Sequence, residues 1–497
     1  MEKIKVTIHW FRRDLRLSDN AALYKALCSG LPVIPLFIFD RQIIDSLHQP
    51  GYPEVLTADR RVDFIHRALK ALESNIRLYG SALITAYGEP VAVFKKLMSL
   101  FEIDSVFCNN DYEPSAIERD LSIEELLSNN KTKFIRCKDQ VIFEKDEILK
   151  KDGSPYTVYT PYSKKWIERV KESELSALTP FPSQNILKNL IEERFFSSIK
   201  AQQISDPYKK RAYESSTTYL QQGVISLNFI GFCETDLSVS GVLLPWEGSL
   251  MTDYSGQLLD KDKIGNYHET RDIPSLNGTS LLSTHLRFGT ISVRGVAQEA
   301  LNSNPVWLGE IIWREFFKMI LYHFPYVTDS PFKQKYRFIQ WRNDASELER
   351  WCMGLTGYPI VDAGMRELYN TGLMHNRVRM ITASFLVKHL LIDWRVGEAW
   401  FAERLLDYEL SSNNGNWQWV AGCGCDAAPY FRIFNPWEQT KRFDPEMNYI
   451  RKWVPEAVNN DSYSIANNYP APIIEHKKAR ERALEVFGNS LRVGPAE

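Results

Sequence analysis

Five short apolar runs alternate with amphipathic segments through the first 136 residues, and that alternation leaves few folds open. The runs are Val6–Phe11, Val33–Phe39, Ala82–Ala86, Ser105–Cys108 and Thr132–Ile135, of strand length and rich in β-branched or aromatic side chains. Between them, residues 19–29, 58–78, 90–101 and 114–128 place apolar side chains at helical spacing, the first behind a cap at Ser18 or Asp19. Strands alternating with helices predict a parallel, doubly wound (Rossmann-like) sheet with a crevice at the strands' carboxyl ends. No GxGxxG follows the first run, so the residues give no support to dinucleotide binding here.

The pattern then changes. Residues 137–205 read as a long connector, and its segment Gly153-Ser154-Pro155-Tyr156-Thr157-Val158-Tyr159-Thr160-Pro161-Tyr162 as a loop clamped by aromatics. Short helices are expected within 206–245, and from about residue 250 helical periodicity takes over. Helices are expected near 293–303, 307–323, 359–370, 373–391 and 396–408, with Pro359 in a first turn. The expectation is an α/β domain over 1–136, a linker over 137–205 and an all-helical domain over 206–497. A chain of 497 residues fits two cores better than one.

A net charge of -2 from 60 basic and 62 acidic residues means that any nucleic-acid binding must come from a local patch. The seven cysteines form no CxxC pair, so neither a zinc site nor a disulfide framework is indicated; Cys423 and Cys425 read as buried free thiols. No metal is expected. No apolar run has transmembrane length, and a soluble, cytoplasmic chain is expected, nucleoid-associated if prokaryotic.

The chemistry concentrates in residues 404–437, RLLDYELSSNNGNWQWVAGCGCDAAPYFRIFNPW. Through Glu409 this reads as the end of a helix, followed by a turn-rich run from Ser411 to Asn416, Trp417, Trp419 and the segment Tyr430-Phe431-Arg432. Amides beside carboxylates and indoles suit a planar heteroaromatic ligand; a solvated turn over a packed tryptophan pair fits the same residues equally well. The Gly278-Thr279-Ser280-Leu281-Leu282-Ser283 run can cradle phosphate at a helix start or simply cap one. Asn376, Arg379 and Met380 share one helix face, as do Glu310 and Trp313.

From HWFRRDLRLSDNAAL (residues 9–23) to NPW, nearly the whole chain resembles the photolyase/cryptochrome family. It is most like the class I photolyases that repair cyclobutane pyrimidine dimers. The resemblance implies FAD, reduced in the active form, held by Tyr267, Thr279, Ser280, Leu282, Ser283, Trp307, Asn376, Arg379, Asp407, Glu409 and Asn413. Within that set it pairs Arg379 with Asp407 at the flavin edge and sets Asn413 against the flavin N5 nitrogen, where an amide can accept from N5–H and favour reduced forms. Leu281 stands where some relatives carry Arg.

The resemblance also implies the substrate: DNA carrying ultraviolet-induced pyrimidine dimers. Glu310, Trp313, Met380 and Asn413 match catalytic positions, and Trp313 and Trp419 match the indoles that wedge a flipped-out dimer. Asn376 and Met380 replace the histidines of six-four photolyases, which points to cyclobutane lesions. Trp341, Trp394 and Trp417 match a three-indole electron chain. Arg271, Arg377, Arg432, Lys441 and Arg442 are candidates for phosphate contact. The implied activity is that of a light-driven carbon–carbon lyase in which reduced FAD lends an electron to the dimer. The rival readings are a blue-light signalling or DASH-type cryptochrome; Asn413, Trp419 and the short stretch after His476–Val486 weigh against them. A second, antenna chromophore is expected in the N-terminal domain without an identity. Pro114, Ser115 and Ala116 follow Tyr112-Glu113 where folate-type members carry Asn-Glu, so folate contacts are not evident. A monomer is expected.

Overall fold

A computed structural model describes residues 3–48, 56–196, 199, 218–243, 260–458, 466 and 469–493. The chain divides into two compact units, each made of separated pieces: residues 1–144, 169–260 and 281–299 form the first, and 145–168, 261–280 and 300–497 the second.

The first unit is built on a six-stranded sheet in the order β6-β5-β1-β2-β4-β7. Its strands are β1 (Lys5–Phe11), β2 (Val33–Asp40), β4 (Ile84–Gly88), β5 (Glu102–Asn109), β6 (Lys133–Cys137) and β7 (Tyr219–Gln222); β3 (Thr57–Ala58) pairs instead with β8 (Phe232–Cys233). The first five strands of the sheet run parallel, as expected, and β7 adds an antiparallel edge to β4. The strand order reverses direction after β4, so right-handed crossovers place helices Ala21–Leu27 and Arg60–Arg77 on one face and Pro90–Leu100 and Pro114–Asn129 on the other. On the second face Val6, Ile8 and Trp10 of β1 and Ile34, Leu36 and Ile38 of β2 pack with Phe94, Leu97, Ile123 and Leu127. Strands buried on both sides explain why they read as continuous apolar runs.

Two local details differ from expectation. The first helix is capped by Asn20, whose side chain accepts from Leu23 N; Asp19 takes a left-handed φ of 47° and points elsewhere. Asp19 accepts from Phe181 N, Ser292 Oγ and Arg294 Nε, and Arg294 also reaches Asp139 at 2.7 Å. This buried ionic hub is what draws residues 281–299 into the α/β unit. Within 206–245 the described residues hold β7, β8 and two single 3-10 turns (Asn228–Ile230 and Ser238–Ser240), while 206–217 and 244–245 lie outside the described residues.

The second unit is helical throughout its described residues. Helix Val293–Ser303 leads into it, helices Pro305–His323 and Pro359–Thr371 each open on a first-turn proline, and Trp394–Arg404 is capped by Asp393. The segment expected as one helix over 373–391 is Asn376–Ser384 followed by a π-helical turn, Phe385–His389.

The turn-rich run is the main correction. Ser411 to Asn416 lies inside a second helix, Leu410–Ala421, begun at Glu409 after Trp394–Arg404 has ended. Tertiary partners override the local preference of these side chains for turns. Asn413 donates to Glu398, Asn414 to Val327 O and Asn416 to Ser412 O. Gly415 lets the helix lie directly on Phe317 of Pro305–His323, since a Cβ there would sit 2.2 Å from that ring.

Candidate functional site

Most of the candidate site residues sit on helices Pro305–His323, Asn376–Ser384 and Leu410–Ala421 of the second unit or just before them. Helix Pro305–His323 is fixed at its start by Asn304, whose side chain accepts from Val306 N and Trp307 N. One stripe of this helix carries Trp307, which is buried, then Glu310, Trp313, Arg314, Phe317 and Lys318.

Glu310 is paired with Arg271, Nη1 to Oε1 2.5 Å, and the Arg271 guanidinium lies 5.5 Å from the centre of the Tyr267 ring. Burial raises the Glu310 carboxyl above its ordinary range and Arg271 pulls it back in part. Burial, with Glu310 adding to it, also pushes up the Tyr267 phenol. Trp313 is half-buried; one face stacks on Tyr159 with centroids 3.6 Å apart and planes at 5°. Phe316 and Phe317 close its edge at 5.6 and 5.3 Å.

The helix Asn376–Ser384 is capped by His375, whose Nδ1 accepts from Arg377 N. Asn376 is exposed, and Met380 Sδ lies 3.7 Å from Arg377 Nη1. Arg377 is itself paired with Asp272 at 2.7 Å and lies 4.4 Å over Phe443. Arg379 donates to Met374 O and meets both oxygens of Asp407 at 3.1 and 2.9 Å, which is the expected pair. Glu409 is claimed by cations of the first helix, Lys318 at 2.7 Å and Arg314 at 3.3 Å, and by the Ser412 hydroxyl. Its carboxylate thereby bridges two helices of the site.

Asn413 points its amide nitrogen at Glu398, 3.0 Å to the carbonyl and 2.8 Å to Oε1. Both N–H donors are spent there, which leaves Oδ1 as an acceptor. Burial raises the Glu398 carboxyl, and the Asn413 hydrogen bond opposes that shift. Glu398 lies on another helix, and no local pattern in the sequence marks it.

The remaining expected residues fall in several places. Thr279 and Ser280 belong to the helical unit; Leu282, buried, and Ser283, which opens helix Ser283–Phe288, belong to the α/β unit. Leu281 between them takes a left-handed φ of 54°. Trp394 and Trp417 are buried in one aromatic-aliphatic core, against which Trp341 and Trp419 pack. Arg432 is exposed and lies 6.0 Å over Trp419; Lys441 pairs with Glu438, and Arg442 lies 5.0 Å over Phe443. In the α/β unit Glu113 is held by Arg13 and Arg287, the next helix begins at Pro114, and Ala116 on it is buried. Among the described residues no cluster suited to a metal ion is found, and no helix is long and apolar enough to cross a membrane.

The donor set fits a flavin. Asn413 keeps an amide acceptor, Arg379 and Asp407 supply a charge pair, and two buried polar atoms, Ser411 Oγ and His375 Nε2, have no hydrogen-bond partner among the described residues. Buried polar atoms of this kind are normally satisfied, and a bound polar ligand would supply such partners.

Comparison with known proteins agrees with this geometry. Residues 307–489 match the family model described as the FAD binding domain of DNA photolyase, and residues 7–185 the model described as DNA photolyase. A deoxyribodipyrimidine photo-lyase of Agrobacterium fabrum is 34% identical over 98% of this chain and 98% of its own. The crystal structure of a bacterial class III photolyase from Agrobacterium tumefaciens superposes with a TM-score of 0.80 at 31% identity, covering 99% of each chain. That of an archaeal photolyase from Sulfolobus tokodaii, described with two FAD molecules, gives 0.72 at 29% identity, covering 98% of this chain and 100% of that one. A chain matched end to end at this identity, with both family models on it, belongs to the DNA photolyase family.

Proposed function

We propose that this chain is a light-driven DNA repair lyase, a deoxyribodipyrimidine photo-lyase acting on cyclobutane pyrimidine dimers. The observation that carries the reading is the face of helix Pro305–His323 that sets the Glu310 carboxyl beside the Trp313 indole, in a chain similar over 98% of its length to a photo-lyase. FAD supplies the chemistry: when bound, reduced and excited by blue light it lends an electron to the dimer, two carbon–carbon bonds break, and the electron returns, so no net oxidation results.

The chain's own residues bind and orient. Trp313 and Trp419 offer indole faces to a flipped dinucleotide, each stack worth roughly 1–3 kcal/mol. A dimer stacks poorly in duplex DNA and is the cheapest dinucleotide to extrude, so selection starts before any hydrogen bond forms. Glu310, its carboxyl raised by burial, in its protonated form donates to a pyrimidine carbonyl and offsets negative charge as it develops there. Arg271, paired with Glu310 at 2.5 Å, is the cation of this face placed to meet a DNA phosphate. Asn413, oriented by Glu398, would offer its amide oxygen to a bound flavin, and the Arg379–Asp407 pair would hold a polar part of its ring. Neither lesion splitting nor electron return requires a base, which suits Asn376 and Met380 at those positions.

The test is repair of ultraviolet-irradiated DNA by purified, flavin-loaded and reduced protein, in blue light and in darkness. Loss of cyclobutane dimers only in the light is expected. Undiminished dimers in both arms, with reduced flavin bound, would refute the reading and favour a light sensor.

A further inference from the structure

We propose that Tyr159 is a positioning residue for the dimer slot: it fixes the plane of Trp313 and ties that indole's helix to the segment that carries Trp419. The proposal rests on the reading of Trp313 and Trp419 as the slot's two walls.

An indole on a helix rotates about two side-chain torsions, and a stacking wall is useful only when those torsions are settled beforehand. Trp313 is half-buried, and of its helix neighbours Phe316 lies nearly perpendicular at 82° and Phe317 tilted at 31°. The Tyr159 ring is the partner that lies flat on it, 3.6 Å away at 5°. Such a stack selects one indole plane, and on the slot reading the base takes the face opposite Tyr159.

Tyr159 is in turn held at three points. Its ring meets Phe316 edge-on at 5.9 Å. Its hydroxyl donates to Gly309 O at 2.8 Å, one turn ahead of Trp313 on the same helix and next to Glu310. Its backbone N–H donates to Asp426 Oδ2 at 3.0 Å. Asp426 follows a loop that folds back on the helix bearing Trp419: Gly422 caps that helix with a φ of 90°, and Cys423 and Gly424 both donate to Gln418 O. One side chain thus braces Trp313 and Glu310 on one wall, and its backbone pins the loop behind the other wall.

The phenol's acceptor is a carbonyl, which takes a hydrogen bond but not a proton at neutral pH. That hydrogen bond therefore gives Tyr159 a geometric role and no proton to pass. This role also gives a function to the aromatic connector segment Gly153–Tyr162, whose tyrosines otherwise read only as clamps. Trp166 Nε1 and Tyr162 Oη donate to the buried Glu315, anchoring the helix that Tyr159 begins to the back of Pro305–His323.

The experiment compares wild type, Tyr159→Leu, Tyr159→Phe and Trp313→Ala as flavin-loaded proteins. It measures affinity for a duplex with one cyclobutane thymine dimer, affinity for the same duplex undamaged, and repair yield per absorbed photon at saturating DNA. Tyr159→Leu is expected to weaken dimer binding about three- to tenfold, the worth of one aromatic stack, with flavin content and undamaged-DNA affinity unchanged. Tyr159→Phe keeps the ring and is expected to stay within about twofold of wild type. If the leucine variant does not load flavin, Tyr159→Met replaces it with the same expectation. Wild-type dimer affinity in Tyr159→Leu, or equal losses in the Phe and Leu variants, would overturn the proposal, provided Trp313→Ala loses dimer affinity. Trp313→Ala binding the dimer like wild type would overturn the slot reading itself.

Discussion

Gly415→Ala should destabilise this protein, although the same change in an ordinary helix stabilises it. Alanine gains about 0.5–1 kcal/mol over glycine in a helix interior because the unfolded chain loses freedom. Gly415 lies in mid-helix, but a Cβ built there falls 2.2 and 2.4 Å from two atoms of the Phe317 ring. Carbon atoms pack at about 3.5–4.0 Å, so the ring or the helix must move by more than an ångström. Phe317 is buried, with Phe316 at 5.9 Å and Trp313 at 5.3 Å, so its displacement disturbs packed rings. Overpacking of this type costs about 1–3 kcal/mol, which exceeds the propensity gain. Thermal unfolding should show Gly415→Ala melting several degrees below wild type, at about 2–4 °C per kcal/mol for a unit of this size. Gly488→Ala is the internal control: it also lies in a helix, His476–Val493, but its Cβ meets nothing within 4 Å, and it should melt slightly higher. The displaced Phe317 presses on Trp313, so the first variant should also bind dimer-containing DNA more weakly. A Gly415→Ala protein as stable as Gly488→Ala would refute the packing argument.

Three further expectations follow from single contacts. Glu310→Ala should lower repair yield per photon several-fold while flavin stays bound, and an unchanged yield would remove Glu310 from the chemistry. Trp394→Phe should block photoreduction of oxidised flavin yet spare repair by pre-reduced protein; rapid photoreduction in the variant would refute the electron chain through the core. Lys388 is buried with its ammonium on Ala421 O at 2.9 Å and the Phe487 ring at 3.6 Å, and burial pushes it down to about 7. Between about pH 7 and 10 the unfolded chain therefore holds a proton that the folded chain lacks, so stability rises with pH by at most ~1.4 kcal/mol per unit. Lys388→Met should flatten that rise; equal slopes for both proteins from pH 7 to 9 in denaturant titrations would exclude Lys388 as its source.

The sheet was legible because its inner parallel strands are buried on both faces and so appear as apolar runs, and the Pro359 helix because proline marks first turns. The helix Leu410–Ala421 was not legible: Ser, Asn and Gly favour turns locally, and only partners remote in sequence, Glu398, Val327 and Phe317, make them helical. The edge strand β7 is four residues long and follows the long connector, too short for a period to declare itself. The pairing of Arg379 with Asp407 was legible because the family motif names both residues. The residues that orient them, Glu398 behind Asn413, Lys318 beneath Glu409 and Tyr159 behind Trp313, became visible only with the packing.

The central claim is tested most directly with two defined duplexes, one carrying a single cyclobutane thymine dimer and one a six-four photoproduct, given to pre-reduced, flavin-loaded protein under blue light. The account predicts restoration of the cyclobutane dimer to two thymines in the light alone, with the six-four lesion untouched. Repair of the six-four lesion, or no light-dependent repair of the cyclobutane dimer with the flavin reduced and bound, would contradict it.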